Sequence, residues 1–297
     1  MKPGAFAYLA PNSLANALEL LEQHGSDAKI LAGGQSLVPM MSFRLSQPAL
    51  LIDLNGIDEL CYYQRGDDRG LRIGALSRQR SLEKEPLVAE QAPLLREAVH
   101  SIAHPQIRNR GTIGGSIAHA DPAAELPALA VALRARFRLV STRGSRWVAA
   151  QDFFRGLLTT DLEPEEMLVE IALPRHPMRC GSAFLEIARR HGDYAQVGAA
   201  AVVILDSDGI CEEARLVFLS VGDVPMEATR AAAMLRGERL TEEFIAACAE
   251  HAGDNEIDPT TDIHATADYK RHLAKVLARR AFTVASERAR AQLRKES

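Results

Sequence analysis

The amino-acid sequence predicts an α+β protein. Three observations carry that class. A β-α-β pattern occupies roughly the first 55 residues. Two prolines in Pro174-Arg175-His176-Pro177 halt both helix and strand. Beyond them, two apolar runs joined by a turn read as antiparallel strands and are followed by helical patterns.

In chain order, Ser13 to His24 reads as an amphipathic helix. Leu14, Ala17, Leu18 and Leu21 share one face, Ser13 is the N-cap and Gly25 the stop. Lys29–Ala32 is a strand that ends in Gly33-Gly34, and Ala49–Asp53 is a second strand. Met40-Met41 and Phe43 are expected to pack beneath the first glycine loop. Leu71–Gly74 opens a second region. Glu90–Ala98 is helical in composition, with Pro93 near its start. Pro122–Leu133 reads as an apolar helix capped by Asp121, with proline at its first position. Phe137–Val140 and Trp147–Ala149 are strands split by Thr142-Arg143-Gly144-Ser145, and Leu168–Leu173 is a strand ended by Pro174. A C-terminal part starts near Gly181. Ala199–Leu205 and Glu213–Val221 pair through Asp206-Ser207-Asp208-Gly209, and helices follow at Ala228–Arg236, Glu242–Ala252 and Asp268–Gln292. No internal repeat or low-complexity tract is evident.

With 297 residues, 47% hydrophobic and 25% charged, the chain is of ordinary globular composition and long enough for two or three subdomains. A net charge of −4 gives no reason to expect nucleic acid as a partner. Cys61, Cys180, Cys211 and Cys248 are far apart and form no C-x-x-C, so free thiols are expected rather than zinc or an iron–sulfur cluster in this chain. The start Met1-Lys2-Pro3-Gly4-Ala5-Phe6 lacks a signal-peptide pattern, and no run of about 20 apolar residues suits a transmembrane segment. A cytoplasmic location is expected, with a peripheral place at the inner membrane through partners compatible with it.

The chemistry-bearing features are two loops, Ala32-Gly33-Gly34-Gln35-Ser36 and Thr112-Ile113-Gly114-Gly115-Ser116. Glycine lets backbone N–H groups approach an anion closely, and two such loops can grip one diphosphate from two sides. Either pair alone also reads as a tight turn. Neither fits G-x-G-x-x-G or the P-loop pattern. His104 is read as structural or close to a ligand, and His119 as a phosphate contact or a plain loop residue. Arg108 and Arg110 are read as charge complements to an anion or a partner, or as solvated surface. No Ser-His-Asp or Cys-His arrangement supports hydrolysis.

The wider contexts are Ile30-Leu31-Ala32-Gly33-Gly34-Gln35-Ser36-Leu37 and Ile102-Ala103-His104-Pro105 through Ser116 to Asp121-Pro122-Ala123-Ala124-Glu125. Together with Asp152-Phe153-Phe154, Glu165 to Ile171, Gly192-Asp193-Tyr194-Ala195, Tyr269-Lys270-Arg271 and Arg279-Arg280-Ala281, they resemble the FAD-binding medium subunit of three-subunit molybdenum hydroxylases. This is the xanthine dehydrogenase and aerobic carbon monoxide dehydrogenase family, and the resemblance covers nearly the whole chain. It implies a PCMH-type FAD-binding fold over residues 1–176, made of two α/β subdomains at about 1–56 and 57–176. An α+β domain with an antiparallel sheet and helices would follow at 177–288, and then a tail at 289–297.

The resemblance also implies roles. Ile30, Leu31, Ala32, Gly33, Gly34, Gln35, Ser36 and Leu37 would wrap the FAD diphosphate and ribityl chain. Thr112, Gly114, Gly115 and Ser116 would close on it from the other side. Ile102 and Ala103 would lie near the ribityl chain or ring, Leu168 would form an apolar wall, and Tyr194 would lie near the isoalloxazine. Glu125 would accept from the cofactor's sugar portion. Asp121 stands with it as a candidate contact, its other reading being a helix cap. No catalytic side chain is expected, because the flavin carries the redox chemistry. The implied partners are a large molybdopterin-binding subunit and a small subunit with two 2Fe–2S clusters, in a dimer of heterotrimers. The terminal acceptor would be NAD⁺, oxygen, a quinone or another molecule. A stand-alone FAD oxidoreductase and a non-catalytic assembly subunit are the rival readings. The sequence departs from many relatives at Gln35 (their His), at Ser116 (their Asn), and at Leu185-Glu186-Ile187, where they carry a lysine.

Overall fold

The computed structural model describes residues 2–296. Its first part is β1 (Ala7–Leu9), α1 (Leu14–His24), β2 (Ala28–Leu31), α2 (Leu37–Ser42) and β3 (Leu50–Asp53). The three strands form a parallel sheet in the order β1-β3-β2. α1 forms as its pattern dictates. Ser13 Oγ accepts from the Asn16 N–H, Ala17, Leu18 and Leu21 are buried against the sheet, and Gly25 ends the helix at φ +48°. β2 stops at Leu31 opposite Asp53, which sets the first glycine loop beside Asn55.

The second part begins with β4 (Tyr63–Arg65) and β5 (Leu71–Gly74), followed by α3 (Gln79–Leu82), α4 (Pro86–Gln91), α5 (Pro93–Ala98), α6 (Pro105–Arg108), α7 (Ile113–His119) and α8 (Glu125–Ala132). It continues with β6 (Arg136–Ser141), β7 (Gly144–Ala149), α9 (Ala150–Phe153), β8 (Phe154–Gly156), β9 (Thr159–Thr160) and β10 (Met167–Leu173). Five strands form an antiparallel sheet in the order β4-β5-β10-β6-β7. Its core centres on Phe137, Phe153 and Phe154, packed edge to face.

Three sequence expectations change here. The helix expected at Glu90–Ala98 is two helices broken at Ala92, because Pro93 restricts the preceding residue. The helix expected from Pro122 starts at Glu125. Asp121 instead closes a turn, its Oδ1 accepting from the Ala123 N–H and its carbonyl from the Ala124 N–H. The second glycine pair lies inside a helix, α7, rather than in a loop.

The last part is β11 (Cys180–Ala188), β12 (Ala195–Leu205), β13 (Cys211–Leu219), β14 (Met226–Glu227), α10 (Thr229–Ala233), α11 (Glu242–Asn255) and α12 (Ala267–Glu296). The antiparallel order is β11-β12-β13-β14. β12 is central and buried on both faces. Ala200, Val202 and Ile204 enter the core shared with the second part, and Val197, Ala199, Ala201, Val203 and Leu205 enter the core beneath α11 and α12. Gly181 permits the close seat of β11 on α12, since a Cβ there would lie 1.9 Å from the Ala285 carbonyl oxygen. α12 runs on through 289–296, residues that the sequence reading gives to a tail. Among the described residues, no helix is long and apolar enough to cross a membrane.

Candidate functional site

A cleft of about 780 Å³ lies between the first sheet, the second part and the turn at 192–194. That volume falls within the usual range for cofactor sites. Its walls include Ile30, Ala32 to Leu37, Ile102, Ala103, Thr112, Gly115, Ser116, Asp121, Glu125 and Tyr194. Three candidates lie off the wall. Leu31 closes β2, with its Cδ1 turned under Gly34. Gly114 is seated on β5's end, where a Cβ would lie 2.5 Å from the Ala75 Cβ. Leu168 is buried in β10 opposite Leu139 and packs the second core.

The first loop is held open by its neighbours. Asn55 Nδ2 donates to the Ala32 carbonyl at 2.9 Å, and Gln35 Nε2 donates to the Gly33 carbonyl at 3.1 Å. Arg78 bridges the loops, donating to Asn55 Oδ1 at 2.6 Å and to the Arg110 carbonyl. Gly33 touches that second segment directly, since a Cβ would stand 2.5 Å from the Arg110 carbonyl oxygen. Gly34 takes φ +71°, a conformation that favours glycine. Among the described residues, the N–H groups of Gly33, Gly34, Gln35, Ser36 and Leu37 donate to no group of this chain, and all five residues line the cleft.

The second glycine pair is built differently. Ile113 N–H donates to the Ser77 carbonyl and Gly114 N–H to the Ala75 carbonyl. Gly115 N–H donates to Thr112 Oγ1 at 3.0 Å, and Ser116 N–H to the Thr112 carbonyl. Its amides are satisfied within the chain. What it offers the cleft is the close approach at Gly115 and the side of Ser116.

Arg108 is neither a cleft cation nor solvated surface. It is 4% exposed, pairs with Glu83 at 2.7 Å and donates to the Ile102 and Ala103 carbonyls. It thereby secures Ala103, whose φ is +41°. His104 packs under Gly192, where a Cβ would meet its Cε1 at 2.7 Å, and is therefore structural. His119 lines the cleft. Tyr194 stands 68% exposed at the rim. Met41 is buried as expected, but Phe43 is exposed, and Met40 faces the cleft.

Burial pushes Glu125 up to about 7; the Asp121 charge adds to this, and Arg108 and Glu125's own backbone N–H oppose it. Glu186 is pushed up to about 8 by burial and by Glu125. Among the described residues, its Oε2 has no hydrogen-bond partner. Sequence reasoning missed Lys29, Gln79 and the segment from Leu158 through Glu163 to Glu166, all of which line the cleft. The β8–β9 hairpin holds one isolated glycine, Gly156, and no glycine pair or nucleotide motif. Only the exposure of Leu157 and Leu158 marks it, and exposure is not visible in sequence.

A family model described as the FAD binding domain in molybdopterin dehydrogenase matches residues 4–176, and one described as the CO dehydrogenase flavoprotein C-terminal domain matches 182–285. The chain belongs to the FAD-binding medium-subunit family of molybdenum hydroxylases. Among curated relatives, subunit alpha of the 6-hydroxypseudooxynicotine dehydrogenase complex of Paenarthrobacter nicotinovorans is 42% identical, covering 98% of this chain and 97% of its own. Among solved structures, carbon monoxide dehydrogenase from Hydrogenophaga pseudoflava superposes with a TM-score of 0.93 at 41% identity over 97% of this chain and 99% of that one. Quinoline 2-oxidoreductase from Pseudomonas putida 86 gives 0.92 at 39%, over 97% and 99%. This medium-subunit chain is thus an oxidoreductase component whose cofactor is FAD. The cleft fits that cofactor. Five unpaired N–H groups suit a diphosphate, and the apolar stretch at Ile102–Ala103 with Tyr194 suits a flat ring.

Proposed function

We propose that this chain is the FAD-carrying subunit of a heterotrimeric molybdenum hydroxylase, in which electrons arrive from 2Fe–2S clusters of a small subunit and leave to NAD⁺ or another acceptor. Substrate hydroxylation belongs to a molybdopterin centre on a large subunit. The observation that carries this reading is the row of free amides from Gly33 to Leu37 along a cofactor-sized cleft. Bound FAD supplies the two-electron chemistry. The chain's own residues do the rest. The amides of 33–37 bind the diphosphate, and Ser116 meets it from the other side. Glu125 holds the sugar portion, with Asp121 beside it. Ala103 and Tyr194 flank the ring, and the segment from Leu158 to Glu166 limits water access. In this reading residues 1–176 form the FAD-binding domain and 177–288 a closing domain.

The relatives above bear the names of dehydrogenases or oxidoreductases for 6-hydroxypseudooxynicotine, carbon monoxide and quinoline. Such different substrates on similar medium chains favour a part common to all, electron exit, over substrate choice. The test is native purification, with flavin quantified and co-purifying chains identified by mass, followed by reversible removal of FAD. Expected are stoichiometric FAD, a molybdenum-containing and an iron–sulfur chain, and loss of acceptor reduction when FAD is removed. Acceptor reduction that persists without FAD would overturn the proposal. Turnover by the isolated chain would point to a stand-alone oxidoreductase, and a colourless, fully active complex to an assembly role.

A further inference from the structure

A second cavity, about 290 Å³, shares no residue with the FAD cleft. It forms where the chain passes from β10 to β11, so its walls come from both sides of the 174–177 segment. Leu94, Leu133, Val202 and Ile204 make those walls largely apolar. Its charges are three arginines, Arg134, Arg175 and Arg215, and one carboxylate, Glu213. Arg134 is already paired with Glu227 at 2.7 Å. Arg175 has no hydrogen-bond or ion-pair partner among the described residues.

Arg215 is the unusual member. It is 7% exposed and stands on the β13 face turned to the second part. Its Nη1 donates to the Ala132 carbonyl at the end of α8. Its Nε is ion-paired with Glu213 Oε1 at 3.0 Å but out of hydrogen-bond alignment, and among the described residues this buried atom has no hydrogen-bond partner. Arg215 is thus charge-compensated by Glu213, and its one buried N–H without a hydrogen-bonded acceptor, at Nε, is a cost that a further acceptor would relieve. Burial pushes the Cys180 thiol up to about 11 and lowers His176, so near neutral pH neither adds charge to the cavity.

We propose that this cavity is a binding site for a small monocarboxylate with an apolar body. The carboxylate accepts from Arg215 and Arg175, and the hydrocarbon part lies against Leu94, Leu133, Val202 and Ile204. A dianion such as phosphate fits less well, because Glu213 shares the space and the walls offer it little polar contact.

The test titrates the FAD-loaded full chain with benzoate by calorimetry, with benzyl alcohol and inorganic phosphate as controls. Saturable one-to-one binding of benzoate alone is expected. Arg175→Ala, at an exposed position, should weaken it about tenfold, the worth of one charge-assisted contact, and should leave the flavin spectrum unchanged. Arg215→Met should weaken it at least as much. Crystals soaked with 4-bromobenzoate should place bromine beside Val202. No saturable binding, equal binding of benzyl alcohol, tighter binding of phosphate, indifference to Arg175→Ala, or bromine elsewhere would each overturn the assignment. None of these outcomes bears on the FAD reading.

Discussion

Gly33-Gly34 and Gly114-Gly115 are both glycine pairs beside small hydroxyl residues, yet they meet the cleft in opposite ways. Among the described residues, the first leaves five successive amides without acceptors, and the second has its amides satisfied by Ser77, Ala75 and Thr112. The first is a donor surface, while the second is a capped helix start packed on a strand end. The same local composition therefore serves ligand binding in one place and backbone packing in the other. The second segment also leads to Asp121 and Glu125, so acidic groups gather on its side of the cleft.

Four experiments test this contrast. The largest effect is expected from Gly33→Val. A Cβ there meets the Arg110 carbonyl at 2.5 Å and displaces the donor loop, so FAD affinity should fall about a hundredfold or more, beyond what the accompanying loss of apoprotein stability accounts for. Flavin content and apoprotein melting, measured together, check it; full flavin retention would erase the distinction. Gly114→Val should do the reverse. Its Cβ collides with Ala75, so fold stability should drop by about 1–3 kcal/mol in chemical denaturation, with FAD affinity following only as far as the fold does. Thr112→Ala removes the cap that receives the Gly115 N–H and should cost about 1 kcal/mol in the same assay.

The smallest effect concerns pH. Glu125 and Glu186 have folded-state values raised from 4.5 to about 7 and about 8. Raised carboxyl values contribute stability that is complete below the ordinary carboxylate range and lost as pH rises through 7 and 8. The melting temperature should therefore fall by a few degrees between pH 6 and 9, and FAD should bind more weakly as the acidic side of the cleft ionises. Glu186→Gln should flatten both profiles. Unchanged profiles would remove the acidic side from the contrast.

Much of this was legible in the sequence. The α1 pattern, the strand leading to Gly33 and the antiparallel pair after the Pro174–Pro177 break all follow from period, caps and prolines. What was not legible depended on contacts. α7 forms despite two glycines because Thr112 caps it and Ala75 receives Gly114, a partner 39 positions away (114 − 75). β11 is not read from the sequence because Gly181, Ser182 and Glu186 interrupt its apolar run, and only the packing of α12 and α5 reveals which face is buried. Arg108 reads from the sequence as an anion or partner contact, or as solvated surface, because nothing local announces Glu83 as its partner. The cleft wall from Leu158 to Glu166 arrives by folding alone.

The two-faced strand β12 also limits how this chain can be cut. Phe184, Ala200, Val202, Val217 and Leu219 lie in one continuous core with Leu94, Leu129 and Phe137. A fragment ending at Pro177 would bare the other half of that core to water, and the remaining fragment would present an apolar sheet face with nothing laid over it. The proline break marks a change of sheet and not a seam, so the two halves have to be made, and kept, as one piece.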